Sequence, residues 1–140
     1  MLPELENCVL DHVAIAVKDL EESVKVYEAI GLKFSEEREV VEAQKVKTAF
    51  APIDENGHIE LLQSTDESGP IGKYIEKKGP GIHHMCFRVP NIAEKEEELR
   101  SKGFSLLYEK AQIGAGNCLV NFIHPKSTGG ALIEISEKQS

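Results

Sequence analysis

Two histidines and two glutamates occur at matching places in the two halves of this 140-residue chain. His12 and His84 lie in the short apolar runs LDHVAIAV and IHHMCFRV, whereas Glu60 and Glu134 lie in HIELL and LIEIS. Neutral imidazole and carboxylate groups are good ligands for divalent Co, Mn, Ni, Zn or Fe ions. Four such ligands around a six-coordinate ion leave two adjacent positions for water or a chelating substrate. The residue types therefore predict a metal site.

The four candidate ligands belong to an internal repeat. LDHVAIAVKDLEESVKVYEAIGLKF aligns without a gap on IHHMCFRVPNIAEKEEELRSKGFSL, which places His12 on His84 at an offset of 72 residues. Glu60 falls on Glu134 at an offset of 74 residues, so only a two-residue change in length separates the two alignments. A self-similar sequence of this kind predicts two copies of one structural module.

Each module is predicted to have the order β-α-β-β-β. The helices begin after Asp19 and Asn91, each of which is followed three positions later by a glutamate, the spacing of a capping box. They end at Gly31 and Gly103, which suit the C-terminal position of a helix. The strand-like runs are LKFSEEREV, KVKTAFAPI and HIELLQS in the first module and FSLLYEK, LVNFIHP and GALIEIS in the second.

The length suits one domain, which we predict to extend over the whole chain. Its modules cover residues 8–63 and 81–137, and the linker 64–80 is predicted to contain a short helix that begins at Pro70 and ends at Gly79. AQIGAGN, in the second module, is predicted to be the most mobile loop.

Composition and charge exclude several classes of function. The net charge of −8, from 24 acidic and 16 basic residues, argues against a nucleic-acid partner. No apolar stretch has the length that a membrane span requires. Met1 to Asn7 do not resemble a signal peptide, so we expect a cytoplasmic protein. Cys8, Cys86 and Cys118 form no CxxC pair, which speaks against a thiolate zinc site.

Strand alternation predicts which face the candidate ligands occupy. The large apolar residues beside Glu60 and Glu134 are expected to point towards the helices, so that both glutamates lie on the other face of the sheet. If a pseudo-two-fold axis relates the modules, the histidines and glutamates meet as a symmetric set. His83 is predicted to point away from this set, and His58 is predicted to be a surface residue at the start of a strand.

The motifs HHMCFRV and HPKSTGGALIEI, with LDHVAIAVKDLEES, VKTAFAP and GFSLLYEKAQIGAGN, resemble the vicinal oxygen chelate (glyoxalase/bleomycin-resistance) superfamily over nearly the full chain. Within it, the sequence most resembles the methylmalonyl-CoA epimerases. The resemblance implies an α+β fold, with two tandem βαβββ modules forming a cupped, mostly antiparallel sheet, in a homodimer. It also implies a divalent metal, with cobalt expected and Mn²⁺, Ni²⁺, Zn²⁺ or Mg²⁺ as alternatives. Its ligands would be His12, Glu60, His84 and Glu134.

The activity that the resemblance implies is the interconversion of (2R)- and (2S)-methylmalonyl-CoA. A proton is removed at C2 of this acyl-CoA substrate, and a metal-stabilised enolate forms. Glu134 is the implied base on one face of the enolate. For the opposite face, Lys47 aligns with a position at which part of the family has Glu, and Glu42 is the nearby alternative.

Three other functions on the same scaffold remain open from the sequence, one of which is a ring-cleaving dioxygenase, although these enzymes usually have two histidines and one carboxylate. Glyoxalase I would suit the four ligands, but its members more often have a DPDG-like sequence where this chain has HPKSTGG. A metal-free binding or resistance protein would not need the four ligand types that this chain retains. The nearby residues Asn121, His124 and Lys126 are expected to lie close to the entrance of the site.

Overall fold

The computed structural model describes residues 8–139, so the expectation for Met1 to Asn7 lies outside the described residues. Along the chain, two βαβββ modules follow one another, as the repeat predicted, with one helix in the linker between them. The elements are β1 (Val9–Val17), α1 (Leu20–Ile30), β2 (Glu39–Val41), β3 (Val46–Pro52), β4 (His58–Ser64), α2 (Pro70–Lys78), β5 (Gly81–Arg88), α3 (Ile92–Ser101), β6 (Gln112–Ile113), β7 (Cys118–Ile123) and β8 (Ile133–Lys138).

Residue contacts divide the described chain into two compact units. We call residues 12–83 the N-terminal unit, and residues 84–139 with 8–11 the C-terminal unit. The strand order is β2-β3-β4-β1 in the N-terminal unit and β5-β8-β7-β6 in the C-terminal unit. In each, one strand pair is parallel and two are antiparallel, which agrees with the predicted α+β fold.

In the N-terminal unit, α1 packs its apolar stripe on one face of the sheet. Asp19 accepts a hydrogen bond from the backbone N–H of Glu22 at 3.0 Å, and the helix ends at Gly31, whose φ of 121° favours glycine. Gln63 on β4 also accepts the N–H of Leu20 at 2.7 Å, which ties the start of α1 to the sheet. The buried core on this face consists of Val17, Leu20, Val24, Ala49 and Leu61.

The C-terminal unit repeats this construction with α3. Asn91 accepts the N–H of Glu94 at 3.0 Å, as the capping-box spacing predicted. Glu137 on β8 accepts the N–H of Ile92 at 2.8 Å, and its place is that of Gln63 in the other module. The buried core here consists of Val89, Ile92, Ile123 and Ile135. In both modules, the start of the helix is thus bound by the side chain three residues after the glutamate on the same strand.

The predicted edge strands are wrong in extent. Of LKFSEEREV only Glu39 and Val40 belong to a strand, β2. Just before it, the Arg38 side chain bonds Glu21 at 2.8 Å and the carbonyl oxygen of Ser35 at 2.5 Å. FSLLYEK forms only an isolated bridge between Leu106 and Ile123. The short strand β6 lies inside AQIGAGN, which was expected to be a loop.

The linker prediction is confirmed, since α2 begins at Pro70 and is followed by Gly79 as its C-cap. In the described part of the chain, none of the helices combines the length and the apolar character that crossing a membrane would need.

Candidate metal centre

A buried histidine–glutamate pair lies on the sheet of the N-terminal unit. The parallel pairing of β1 with β4 places Ala14 opposite Glu60, so that His12, two residues earlier on β1, is the diagonal neighbour of Glu60. His12 Nε2 lies 3.4 Å from Glu60 Oε2. The two residues are 8% and 5% exposed.

The C-terminal unit contains the equivalent pair on the same diagonal. Parallel pairing of β5 with β8 places Cys86 opposite Glu134, and His84 lies two residues before Cys86. His84 Nε2 lies 3.0 Å from Glu134 Oε1, and both residues are buried. Side chains two residues apart along a strand share a face, so the diagonal follows from the register alone.

Both pairs occupy the face that alternation predicted. Ile59 and Leu61, on either side of Glu60, pack with α1, so the Glu60 carboxylate lies on the opposite face of the N-terminal sheet. Ile133 and Ile135 flank Glu134 and belong to the core with α3. Within each unit, the histidine and the glutamate therefore lie away from the helix.

A phenylalanine on the third strand borders each pair, a feature that the sequence reasoning missed. Phe50 on β3 is the cross-strand partner of Glu60, and Phe122 on β7 is the partner of Glu134. The Phe122 ring meets His84 edge-on at a centroid distance of 5.5 Å. An apolar wall lowers the local dielectric, which strengthens the attraction between a carboxylate and a cation.

The donor atoms have separations that suit a divalent cation. Metal–nitrogen and metal–oxygen bonds of about 2.1 Å that meet at about 90–110° separate their donor atoms by roughly 3.0–3.4 Å. The His–Glu separations in the two units are 3.0 and 3.4 Å. In each unit, the buried imidazole and carboxylate are therefore spaced like two neighbouring ligands of a divalent metal ion.

Lys47 is not brought to the face of Glu60. It pairs across β3 and β4 with Gln63, whose side chain bonds the start of α1, and cross-strand partners point to the same face. A hydrogen bond from Arg38 lowers the pKa of Glu21 on α1, and the charge of Lys47 acts in the same direction. Lys47 therefore lies on the helix side of the sheet. Glu42, the alternative, is exposed in the short 3₁₀ turn Glu42–Gln44.

The remaining histidines have distinct surroundings. His83 packs edge-on against Tyr74 of α2, in agreement with a structural role. His124 Nδ1 accepts the N–H of Lys126 at 3.1 Å and so caps the turn that follows β7. His58 begins β4 as expected, but it is half-buried rather than a surface residue, since its side chain is 23% exposed and its Nε2 lies 3.5 Å from Glu60 Oε2.

The Glu134 carboxylate affects two neighbouring groups in the C-terminal unit. Burial, together with the Glu134 charge, raises the pKa of the Cys86 thiol, which donates to Ser136 Oγ at 3.3 Å. Burial and the same charge raise the pKa of Tyr108, whose ring meets Phe122 at 6.0 Å. Both groups are therefore kept neutral beside the carboxylate. Asn121, expected near the entrance, is instead fully buried.

Comparisons with known proteins find several similar epimerases. The chain is 38% identical over 130 residues to the mitochondrial methylmalonyl-CoA epimerase of Homo sapiens, covering 91% of this chain and 73% of the relative. The structure of methylmalonyl-CoA epimerase from Mycobacterium tuberculosis superposes with a TM-score of 0.88 at 38% identity, covering 94% of this chain and 88% of that chain. A methylmalonyl-CoA epimerase in complex with methylmalonyl-CoA and NH4+ gives a TM-score of 0.91 at 30% identity, covering 96% of each chain.

The family match includes the strands that carry His12 and Glu60, together with most of the second module. The sequence profile of the Glyoxalase/Bleomycin resistance protein/Dioxygenase superfamily matches residues 11–122. The chain belongs to this superfamily.

Proposed function

We propose that the protein is an epimerase that interconverts (2R)- and (2S)-methylmalonyl-CoA by removing and returning the proton at C2. The observation that carries the proposal is the buried histidine–glutamate diagonal, which occurs once in each unit of a chain whose relatives include several methylmalonyl-CoA epimerases. The substrate is an acyl-CoA, as in the relative whose structure contains methylmalonyl-CoA.

The proposed metal ligands are His12, Glu60, His84 and Glu134. A divalent ion held by them, for which cobalt is our first choice, would supply the positive charge that stabilises an enolate oxygen. The chain's own contribution is to fix the donors: strand register sets each diagonal, and burial keeps water from competing for the carboxylates. Phe50 and Phe122 contribute the apolar borders.

Epimerisation requires a proton acceptor and a proton donor on opposite faces of the planar intermediate. Glu134 is our proposed base on one face, where burial and the neighbouring apolar ring of Phe122 limit access by bulk water. For the other face, the Glu42 carboxylate is the better of the two candidates, since Lys47 lies on the helix side of its sheet. We further propose that the protein works as a homodimer in the cytoplasm, which size-exclusion chromatography and fractionation would check.

Exchange of the C2 proton tests the reaction directly. Purified protein is incubated with methylmalonyl-CoA in D₂O, and deuterium at C2 is followed by NMR with and without a chelator. We expect exchange that the chelator abolishes and that added Co²⁺ restores. No exchange, combined with turnover of the methylglyoxal–glutathione adduct, would instead identify a glyoxalase I. Absence of both activities with no metal bound would favour a binding protein.

Variants test the individual roles. Glu60→Ala and Glu134→Ala are expected to abolish metal binding, and unchanged occupancy in both would refute the ligand assignment. Glu42→Gln is expected to lower the exchange rate by about 10²–10⁴-fold, the usual contribution of a general base. Lys47→Ala is the matched control and should keep nearly full activity. A large loss in Lys47→Ala with none in Glu42→Gln would reverse the assignment.

A further inference from the structure

His58 lies at the start of β4 inside the N-terminal unit, directly opposite His12 in the parallel ladder. The two imidazole rings are 4.9 Å apart between centroids and inclined by 31°. The ring of Phe50 lies at the same distance from His58. Its neighbours on β1 and β3 thus hold the His58 ring on the face of the sheet that carries Glu60.

The Nε2 atom of His58 is buried and has no hydrogen-bond partner among residues 8–139. Glu60 Oε2 is 3.5 Å away, which is too long for a good hydrogen bond. His12 Nε2 lies 3.4 Å from the same oxygen. A buried nitrogen without a partner costs about 1–3 kcal/mol. His58 Nε2 is therefore a buried nitrogen without a partner that lies next to the donor atoms of His12 and Glu60.

The other module shows that folding does not require an imidazole at this place. With the 74-residue offset that relates Glu60 to Glu134, the position of His58 corresponds to Leu132. Leucine is accepted there beside a histidine–glutamate pair with the same strand register. His58 thus provides an extra nitrogen donor beside one of two histidine–glutamate pairs that otherwise match.

We propose that His58 is a further metal-binding residue, and this rests on the proposed function because the ion is the one held by His12 and Glu60. The Nε2 atoms of His12 and His58 lie 3.4 and 3.5 Å from the same oxygen, Glu60 Oε2. Two imidazoles and one carboxylate with such separations form a recurrent donor set for divalent transition metals. The N-terminal unit alone then supplies three donors.

Metal affinity of the full chain tests the proposal. Co²⁺ binding is measured by competition with a chromophoric chelator for the wild type, His58→Leu and the control His124→Asn. Leucine is the residue at the matched position, and asparagine retains a group able to cap the turn after β7. We expect Co²⁺ affinity to fall at least tenfold in His58→Leu and to stay within twofold in His124→Asn. Equal affinity in His58→Leu and the wild type would overturn the proposal.

Proton NMR of the Co²⁺-loaded chain separates direct ligation from an indirect effect through Glu60. Imidazole N–H protons of cobalt-bound histidines have large paramagnetic shifts, so their signals count the bound rings. We expect one signal for each of His12, His58 and His84 in the wild type and one fewer in His58→Leu. An unchanged count would refute ligation by His58 even if affinity falls. If His58→Leu does not fold, His58→Asn takes its place, and the same number of imidazole signals in that variant as in the wild type would exclude His58.

The outcomes also separate this proposal from the proposed function. A wild type that binds no Co²⁺ refutes both. A wild type that binds Co²⁺ and catalyses C2 exchange, while His58→Leu binds equally well, refutes only the role of His58.

Discussion

Among the buried polar residues of the C-terminal unit, Asn121 is the one whose replacement should lower the free energy of unfolding most. It is fully buried on β7, and its Oδ1 accepts the backbone N–H groups of Tyr108 at 3.1 Å and Phe122 at 2.8 Å. Its Nδ2 donates to the carbonyl oxygen of Tyr108 at 3.0 Å and to the carboxyl group of Glu96 on α3. Asn121 therefore links the helix, the strand and the segment before β6.

Asn121→Asp changes one atom, because an oxygen takes the place of Nδ2. The acceptor function for both backbone N–H groups is retained, whereas the two bonds donated by Nδ2 are lost. Loss of a hydrogen bond to a carboxyl group costs about 1.5–3 kcal/mol, and an unmade bond to the Tyr108 carbonyl adds about 1 kcal/mol. We expect the free energy of unfolding to fall by about 3 kcal/mol at pH 7.

Urea denaturation followed by circular dichroism measures this cost. Asn56→Asp is the matched control, since it makes the same chemical change on an exposed loop. A cost within about 0.5 kcal/mol of the control would refute the orientation of the Asn121 amide on which this reasoning depends.

A second substitution provides a rescue. In Asn121→Asp with Glu96→Gln, the new amide on α3 can donate to the new carboxylate on β7, so the bond is made with its polarity reversed. We expect the double variant to be more stable than Asn121→Asp alone, with a coupling free energy above about 1 kcal/mol. Additive costs would show that the two side chains do not interact in solution.

Three further predictions concern the caps, the thiol and the metal. Asp19→Ala and Asn91→Ala should each lower the free energy of unfolding by about 1 kcal/mol in urea denaturation, because each removes an N-cap; Asn56→Ala should not. Because burial and the Glu134 charge raise the Cys86 pKa, a thiol reagent at pH 8 should modify Cys86 only after unfolding. Stability should also decline as pH rises above the ordinary thiol value of 9.0, where only the unfolded thiol ionises. Co²⁺ at about 100 times its dissociation constant should add about 2.7 kcal/mol to the wild type and nothing to Glu60→Ala; an equal gain in both would exclude Glu60 as a ligand.

The repeat and the local patterns predicted much of the fold and the faces of both histidine–glutamate pairs. The helices after Asp19 and Asn91 follow from capping residues and apolar period, which are properties of neighbouring residues. The outward direction of Glu60 follows from Ile59 and Leu61, which mark the core side of β4. Such features depend only on residues within a few positions of one another, and the sequence displays them directly.

Features that depend on contacts between distant segments could not be predicted. VKTAFAP has apolar residues on both faces, so the side to which Lys47 points is decided by its pairing with Gln63. FSLLYEK is strand-like in its residue types, but the Asn121 side chain bonds the backbone N–H and C=O groups of Tyr108 that a strand partner would need. His58 has the polar character of a surface residue but is half-buried against the rings of His12 and Phe50 on the neighbouring strands.

The positions of the candidate ligands depend on residues that have no part in the chemistry. A slip of one residue between β1 and β4 would turn Glu60 towards α1 and expose Leu61 on the other face. Burying a carboxylate beside Leu20 would cost far more than the contacts that the slip could form. Ile59 and Leu61 therefore hold the His12–Glu60 diagonal in register, as Ile133 and Ile135 hold that of His84 and Glu134. Because this constraint comes from the helix side of the sheet, substitutions in the core should change the metal affinity even when every ligand residue is retained.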